Sequence, residues 1–352
     1  MDQQYTLRLE KIEKTLDHWL PENPGSAWAL EVFPGLGRMD DDLLRVLAAP
    51  GRDILSRGGK RWRPLLMTLV CEALGGGDAS LPLAPLVEFC HNASLIHDDI
   101  EDSSDERRGK PAVHLIYGVD TAINSGSFLY FLPLACIDSW AGINPGLAQA
   151  DNYRAEAYSL WAAYLRKLHL GQAIDIHWHR DFGIIPSVDE YLAMCALKTG
   201  CLARFAAELG VMAAKTADCE TSRTGALGEA APLGEAAEKL GIGFQILDDV
   251  KNLTTGIPGK KRGDDIVEGK KSLPVLLFLK RHPEKKEMVR RCFTEVKAKG
   301  VGAPETEELI LALAASGVIN EAGEQGKALI AGARVIFEKN SALLAGLIDL
   351  IS

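Results

Sequence analysis

The chain has 352 residues, 47% of them hydrophobic and 25% charged, so a large buried core can form. Its 48 acids outnumber 39 bases for a net charge of −9, which argues against a nucleic-acid binder with a basic face. Local cations can still reverse the sign inside a cleft. The seven cysteines are odd in number and form no C-x-x-C pair. They read as free thiols of a reducing compartment, and the expected location is cytoplasmic.

The opening MDQQYTLRLEKIEK is charged and amphipathic and lacks the apolar centre of a secretory signal. Residues 1–40 read as an N-terminal extension, with a loop over 21–37. Alanine and leucine then recur three and four apart from Leu43 to Ala48, Leu65 to Leu74 and Leu83 to Ile96. The same spacing marks Ala155 to His177, Tyr191 to Ala214 and Glu305 to Leu350. Loops rich in Gly, Pro or charge separate these runs at 75–82, 103–110, 142–145 and 254–261. The most apolar stretch, 128–143, holds Pro133 and Asp138 and is too short to span a bilayer, so no stable membrane insertion is expected. The ending SALLAGLIDLIS reads as a packed helix. Alternating β-branched runs are nearly absent. The expectation is an all-α fold, a single large helical bundle of ten or more helices over 1–352. A two-domain split near 216–225 is the alternative.

Two acid clusters each close an apolar helical run. DDIED, Asp98 to Asp102, follows ASLIH, and DDVKN, Asp248 to Asn252, follows GFQIL. On a helix Asp98 and Asp102 share a face and repel, so folding gains nothing from them without a counter-ion. Mg2+ takes oxygen ligands and leaves room for phosphate oxygens, which suits such a pair. His91 lies seven residues before Asp98, close to two turns, and shares its side; His97 points elsewhere and reads as packed. Basic groups flank the acids: Lys60, Arg61 and Arg63 in GGKRWRP, Arg107 and Arg108 in DERRGKP, and Lys260 and Lys270 around GKKRGDDIVEGKK. Arginine forks match phosphate oxygens, so carboxylates beside arginines form a pattern for a metal-bound diphosphate.

These residues together resemble the trans-isoprenyl diphosphate synthases, or polyprenyl synthetases, from about Arg57 to Pro274. GGKRWRP is similar to the family's GGKxxRP, and HDDIEDSSDERRGKPAVH to its first Asp-rich motif followed by RRG. LHLGQAIDIHW, with Gly171, Gln172 and Asp175, the KTG at 198–200, GFQILDDVKN and GKKRGDDIVEGKKSLP are similar to its later motifs, in the family's order. The resemblance implies a helical bundle around a deep central cavity, and a homodimer. It implies that Lys60, Arg63, His91 and Arg108 hold the diphosphate of isopentenyl diphosphate. Asp98, Asp102 and Asp248 would ligate Mg2+, supported by Asp99 and Asp249. Arg107, Lys198, Lys260 and Lys270 would neutralise the allylic diphosphate, with Thr199 and Gln245 bonding in the same site. Asn252 stands where a third aspartate is common, as in many geranylgeranyl diphosphate synthases, and is expected to touch diphosphate rather than metal.

The implied reaction ionises an allylic diphosphate, with Mg2+ stabilising the departing charge, and joins the cation head to tail to isopentenyl diphosphate. The residues five and four before Asp98 are Ala93 and Ser94, both small, where bulky side chains would stop growth early. Geranylgeranyl diphosphate is therefore the expected product, with longer chains or farnesyl diphosphate as alternatives. Phe128, Tyr130 and Phe131 are candidates for closing the cavity floor. Two rival readings differ in class. A terpene cyclase would not need the second diphosphate site at Lys60, Arg63 and His91, and a non-catalytic regulatory subunit would lack one acid cluster.

Overall fold

The computed structural model describes residues 3–140, 150–217, 220–256, 261–300 and 302–351. The chain is helical almost throughout, as expected. In chain order the elements are α1 (Gln3–Trp19), α2 (Ser26–Val32), α3 (Asp41–Ser56), α4 (Trp62–Ala73) and α5 (Ala84–Glu101). Then come β1 (Glu106–Arg107), β2 (Lys110–Pro111), α6 (Val113–Tyr117), α7 (Val119–Phe131), α8 (Leu134–Asp138), α9 (Ala150–Arg180), α10 (Val188–Cys195), α11 (Cys201–Ala214) and α12 (Glu220–Thr254). The C-terminal third holds α13 (Asp264–Glu268), α14 (Leu273–Arg281), α15 (Lys286–Lys299), α16 (Pro304–Ala315), α17 (Val318–Asn340) and α18 (Ala342–Ile351). Among the described residues no helix is long and apolar enough to cross a membrane.

The chain divides into two compact units, one of residues 1–164, 202–234 and 336–352 and the other of 165–201 and 235–335. The boundaries fall inside helical runs rather than near 216–225. They are invisible to composition because no linker marks them.

In the first unit α5 is the buried spine. Pro85 starts it, where a missing N–H costs nothing, and Leu86, Val87, Phe89, Cys90, Ala93 and Ile96 are buried along it. The expected extension is part of this unit: Tyr5, Ile12, Leu16 and Trp19 of α1 are buried, and the Tyr5 hydroxyl donates to the Leu343 carbonyl at 2.7 Å. The loop expected over 21–37 contains α2, seeded by Trp28, whose indole N–H caps the Trp19 carbonyl at 2.9 Å. Pro50 sits inside α3. Next to it Ser125 of α7 enters the helical ladder: its hydroxyl donates to Leu47 O at 2.8 Å and accepts from Gly51 N–H at 3.2 Å. A Cβ on Gly51 would come within 3.0 Å of Leu129, so glycine lets α7 approach. The expected 103–110 loop contains a two-stranded hairpin pairing Arg107 with Lys110. Its tip is Arg108–Gly109, both at positive φ (54° and 75°), as a two-residue primed turn requires.

The second unit buries a core around Leu273–Leu279 of α14, with Val289, Phe293 and Val296 of α15 and Leu309 and Leu313 of α16. Its site-bearing helices are spaced by glycines. A Cβ on Gly171 of α9 would meet the Lys198 backbone nitrogen at 2.5 Å, and one on Gly241 of α12 would meet the Gly200 Cα at 2.8 Å. Between α10 and α11 the backbone opens into one π-helical turn, Ala196–Gly200, which carries the KTG triplet. The six described cysteine side chains, Cys71, Cys90, Cys136, Cys195, Cys201 and Cys292, are free and buried. Residues 142–145 and Lys260, named in the sequence expectations, lie outside the described residues.

Candidate functional site

In the first unit α5 presents His91, Ser94, Asp98 and, as its C-cap, Asp102 at spacings of three and four, so they share one face. The acids stand at the negative end of the helix dipole, which disfavours them. Arg107 supplies part of the compensation. Its Nε donates to Asp99 Oδ1 at 2.8 Å, its Nη2 also bonds that oxygen, and Asp98 Oδ2 lies 3.5 Å from Nη2. Asp99 is fully buried. Burial pushes its carboxyl up and Arg107 pulls it down. Arg107, expected on the allylic diphosphate, bonds Asp99 in this structure, since a buried carboxylate needs a cation at hand.

Arg61, Arg63 and Arg108 of this unit lie close enough to His91 to act on it, as Arg107 does. Desolvation first, then the charges of Arg63, Arg108, Arg107 and Arg61, push the His91 imidazole well below its ordinary value, so it is neutral at pH 7. The Arg63 guanidinium lies over the Trp62 ring, 4.5 Å from its centroid. Arg108 donates from Nη1 to the Ile54 carbonyl at 3.1 Å and to the Gly58 carbonyl. The exposed Lys60 reaches the Ile351 carbonyl at 2.5 Å.

The structure separates Ala93 from Ser94. Ser94 is half-buried on the Asp98 face, its hydroxyl bonded to His91 O at 2.7 Å. Ala93 is fully buried one turn before His97. The His97 ring is packed, as expected: Nδ1 meets Ala93 O at 2.9 Å, Tyr130 stacks on it at 5.6 Å, and a Cβ on Gly126 would lie 2.7 Å away. Phe128 stacks on Phe33 at 5.8 Å and edges Trp28 at 6.4 Å. Phe131 is 59% exposed, with its ring 5.8 Å from that of Trp161.

In the second unit one chain of hydrogen bonds links the later motifs. Thr199 Oγ1 donates to Gln245 Oε1 at 2.8 Å, Gln245 Nε2 donates to Asp249 Oδ1 at 3.1 Å, and the Tyr191 hydroxyl donates to Asp249 Oδ2 at 2.7 Å. Asp249 is buried while Asp248 is exposed. Burial, then the Asp265 carboxylate, push Asp249 up to about 7. Lys198 Nζ bonds Asp175 Oδ2 at 2.6 Å, and Lys270 pairs with Glu268 at 2.5 Å.

Asn252 departs from expectation. It is fully buried, its Oδ1 accepts the Asp265 N–H at 3.2 Å, its Nδ2 donates to Lys261 O at 3.4 Å, and its carbonyl accepts Gly263 N–H at 2.9 Å. The carboxamide shapes the 261–265 turn that starts α13. Tyr191 was not among the expected residues. It stands two turns before Lys198 at a buried position, where helical spacing alone reads as core. Glu88, which is buried, was not among the expected residues either, and Arg61, named only as one of three loop cations, is buried as well.

Lys271 is a second inward cation, 4% exposed. Its ammonium donates to the carbonyls of Trp178 and of Gly269 (2.9 Å) and lies 5.1 Å from the Phe182 and Phe293 ring centroids. Burial pushes it from an ordinary value near 10.5 down to about 8. Below about pH 8 folded and unfolded chains are both protonated and the penalty is complete. Between about 8 and 10.5 only the unfolded chain holds the proton, so stability rises with pH. The unfolding free energy of wild type relative to Lys271→Met should therefore increase by on the order of 2–3 kcal/mol from about pH 7 to about pH 10. Denaturant unfolding of both proteins checks this, and a pH-independent difference would refute it.

Among the described residues no three His, Cys, Asp or Glu side chains form a ready-made metal cage. Asp98 and Asp102 instead offer hard oxygens one turn apart. Mg2+ fits that donor set, since it binds through one or two carboxylates and keeps other positions for water and phosphate.

Comparisons with known proteins identify the family. The family model described as polyprenyl synthetase matches residues 44–305. The short chain isoprenyl diphosphate synthase of Methanocaldococcus jannaschii is 36% identical over 264 residues, 74% of this chain and 73% of that protein. The geranylgeranyl pyrophosphate synthetase structure from Pyrococcus horikoshii Ot3 superposes with a TM-score of 0.75 at 28% identity, covering 99% of this chain and 98% of that one. The polyprenyl synthase of Caulobacter crescentus CB15, solved with calcium and isoprenyl diphosphate, shares the fold at a TM-score of 0.76 and 23% identity, covering 98% and 93%.

Proposed function

The chain belongs to the polyprenyl synthetase family, a prenyl diphosphate synthase by fold and sequence, and on that premise we propose that it makes geranylgeranyl diphosphate with Mg2+. One observation carries the two-substrate reading. A single helix, α5, bears both the Asp98/Asp102 pair and, two turns earlier, a neutral His91 amid four arginines. A cyclase needs only the first of these, and a condensing enzyme needs both.

In this reading Asp98, Asp102 and Asp248 hold Mg2+, and Asp99 and Asp249 steady their neighbours through Arg107 and through Tyr191 and Gln245. When bound, Mg2+ supplies Lewis-acid stabilisation of the charge that develops on the departing diphosphate. Lys198, Lys260 and Lys270 balance that charge, and Thr199 orients Gln245 beside it. Lys60, Arg63, Arg108 and His91 hold isopentenyl diphosphate so that its double bond meets the allylic carbon. The lost proton goes to the released diphosphate. The whole chain acts as one cytoplasmic catalytic domain. It works as a homodimer, supported by the apolar residues Leu115, Ile116, Val119 and Ile123, which are 44–54% exposed on α6 and α7. A sedimentation mass of one chain would refute the dimer.

Chromatography of products from each allylic primer, with and without isopentenyl diphosphate, tests the function. The expected result is a C20 diphosphate only when both are present; a cyclic hydrocarbon from the primer alone would overturn it. Ser94→Phe, on the Asp98 face, should shorten the product by at least one five-carbon unit. Ala93→Phe should shorten it too, but with a packing penalty of about 1–3 kcal/mol, because its site is already filled.

A further inference from the structure

We propose that Arg61 and Glu88 are positioning residues for isopentenyl diphosphate, a buried pair that locks the Gly58–Gly59 turn to the Arg108 hairpin. The proposal rests on the reading that Lys60, Arg63 and Arg108 hold that diphosphate.

Arg61 lies between two of those cations in sequence but points the other way. It is 5% exposed and sits at φ 46°, a left-handed conformation costly for a side chain of its size. What holds it there is its guanidinium. Nε donates to Glu13 Oε1 at 2.8 Å, Nη2 to Leu55 O at 2.6 Å, and Nη1 to Gly58 O at 3.1 Å and Glu88 Oε1 at 3.0 Å. These partners belong to α1, the last turn of α3, the glycine turn and α5. One side chain thus ties four segments to the residue that starts α4, and it fixes the direction in which Lys60 leaves on one side and Arg63 on the other.

Glu88 is 2% exposed, and its Oε1 also accepts Asn92 Nδ2 at 3.0 Å. The Asn92 oxygen in turn faces Arg108 Nη1 at 3.4 Å. Arg108 donates to the same Gly58 carbonyl that Arg61 uses. A Cβ on Gly59 would lie 3.1 Å from both Arg108 Nη2 and Arg61 Nη1, so the two guanidiniums flank a position only glycine can fill. Two cations this close require an anion. Glu88 supplies it, bonding Arg61 directly and Arg108 through Asn92. A buried ion pair is weak evidence of a purely stabilising role, because replacing it by apolar groups is often neutral. Its place under two cationic turns accounts for its presence as positioning.

Steady-state kinetics of the full chain with both substrates test this. Glu88→Gln keeps the shape but removes the charge. Asn92→Ala removes the amide that bridges Glu88 and Arg108 while leaving both charges in place, and decides the matter if Glu88→Gln does not fold. Either should raise KM for isopentenyl diphosphate about tenfold, with kcat and the allylic KM changed less than about twofold. Equal shifts in both KM values, or a fall in kcat alone, overturn the positioning role. Arg63→Ala is the control. If it leaves the isopentenyl diphosphate KM unchanged, the site reading fails; if it raises that KM while Glu88→Gln and Asn92→Ala do not, only the positioning role fails.

Discussion

Asp98→Ala is expected to lower turnover by about 10³-fold or more while leaving thermal stability unchanged or slightly higher. The loss corresponds to about 4 kcal/mol of transition-state stabilisation, within the range for a metal that neutralises a leaving group. The stability half of the prediction follows from position. Asp98 and Asp102 repel across one turn and both oppose the helix dipole at the end of α5, so folding does not need them. Arg107 is already satisfied by Asp99 and stands 3.5 Å from Asp98. Turnover and thermal midpoint measured on one preparation separate the two halves. A loss under about tenfold would remove Asp98 from the metal-binding set, and a large drop in midpoint would make it a structural acid.

The opposite profile is expected at Arg107, the partner of the neighbouring Asp99. Arg107→Met should cost about 3–5 kcal/mol of stability, because it strands the fully buried Asp99. Asp99 Oδ2 has no hydrogen-bond partner among the described residues, so Arg107 carries the compensation at Oδ1. Adding Asp99→Asn to Arg107→Met should recover a large part of the loss, since a neutral amide has no ion to desolvate. Denaturant unfolding of the two single variants and the double variant gives the coupling. Additive effects would show that the pair is not interacting in the fold.

Asp98 and Asp99, adjacent in DDIED, thus have different work, and sequence alone cannot separate them. Helical spacing placed Asp98, Asp102 and His91 on one side, and α5 bears that out, because a regular helix has a fixed angle per residue. Whether a side chain turns toward ligand or core depends on what packs over it, which no local pattern records. Asn252 reads as a phosphate contact by its place in a motif, but α13 folds back over it and takes its amide. Arg61 reads as one of three loop cations, yet Glu88, distant in sequence, draws it inward. The Arg108–Gly109 hairpin was hidden because arginine is not a turn former, and the π turn at Ala196–Gly200 has no composition of its own. By contrast the long helices were legible, since their burial repeats over many turns.

The glycine crossings at Gly171 and Gly241 bear on how such a protein can vary. There the distance between helices is set by main chain against main chain, with no side chain acting as a spacer. Lys198, Thr199 and Gln245 are thereby held in register by residues that have nothing to exchange. Substitutions around them can reshape the lining without altering the helix spacing. A single methyl group at either glycine would shift the whole frame. The second unit is therefore built like a fixed gauge with replaceable facings, free to change what it accepts while keeping where its charges stand.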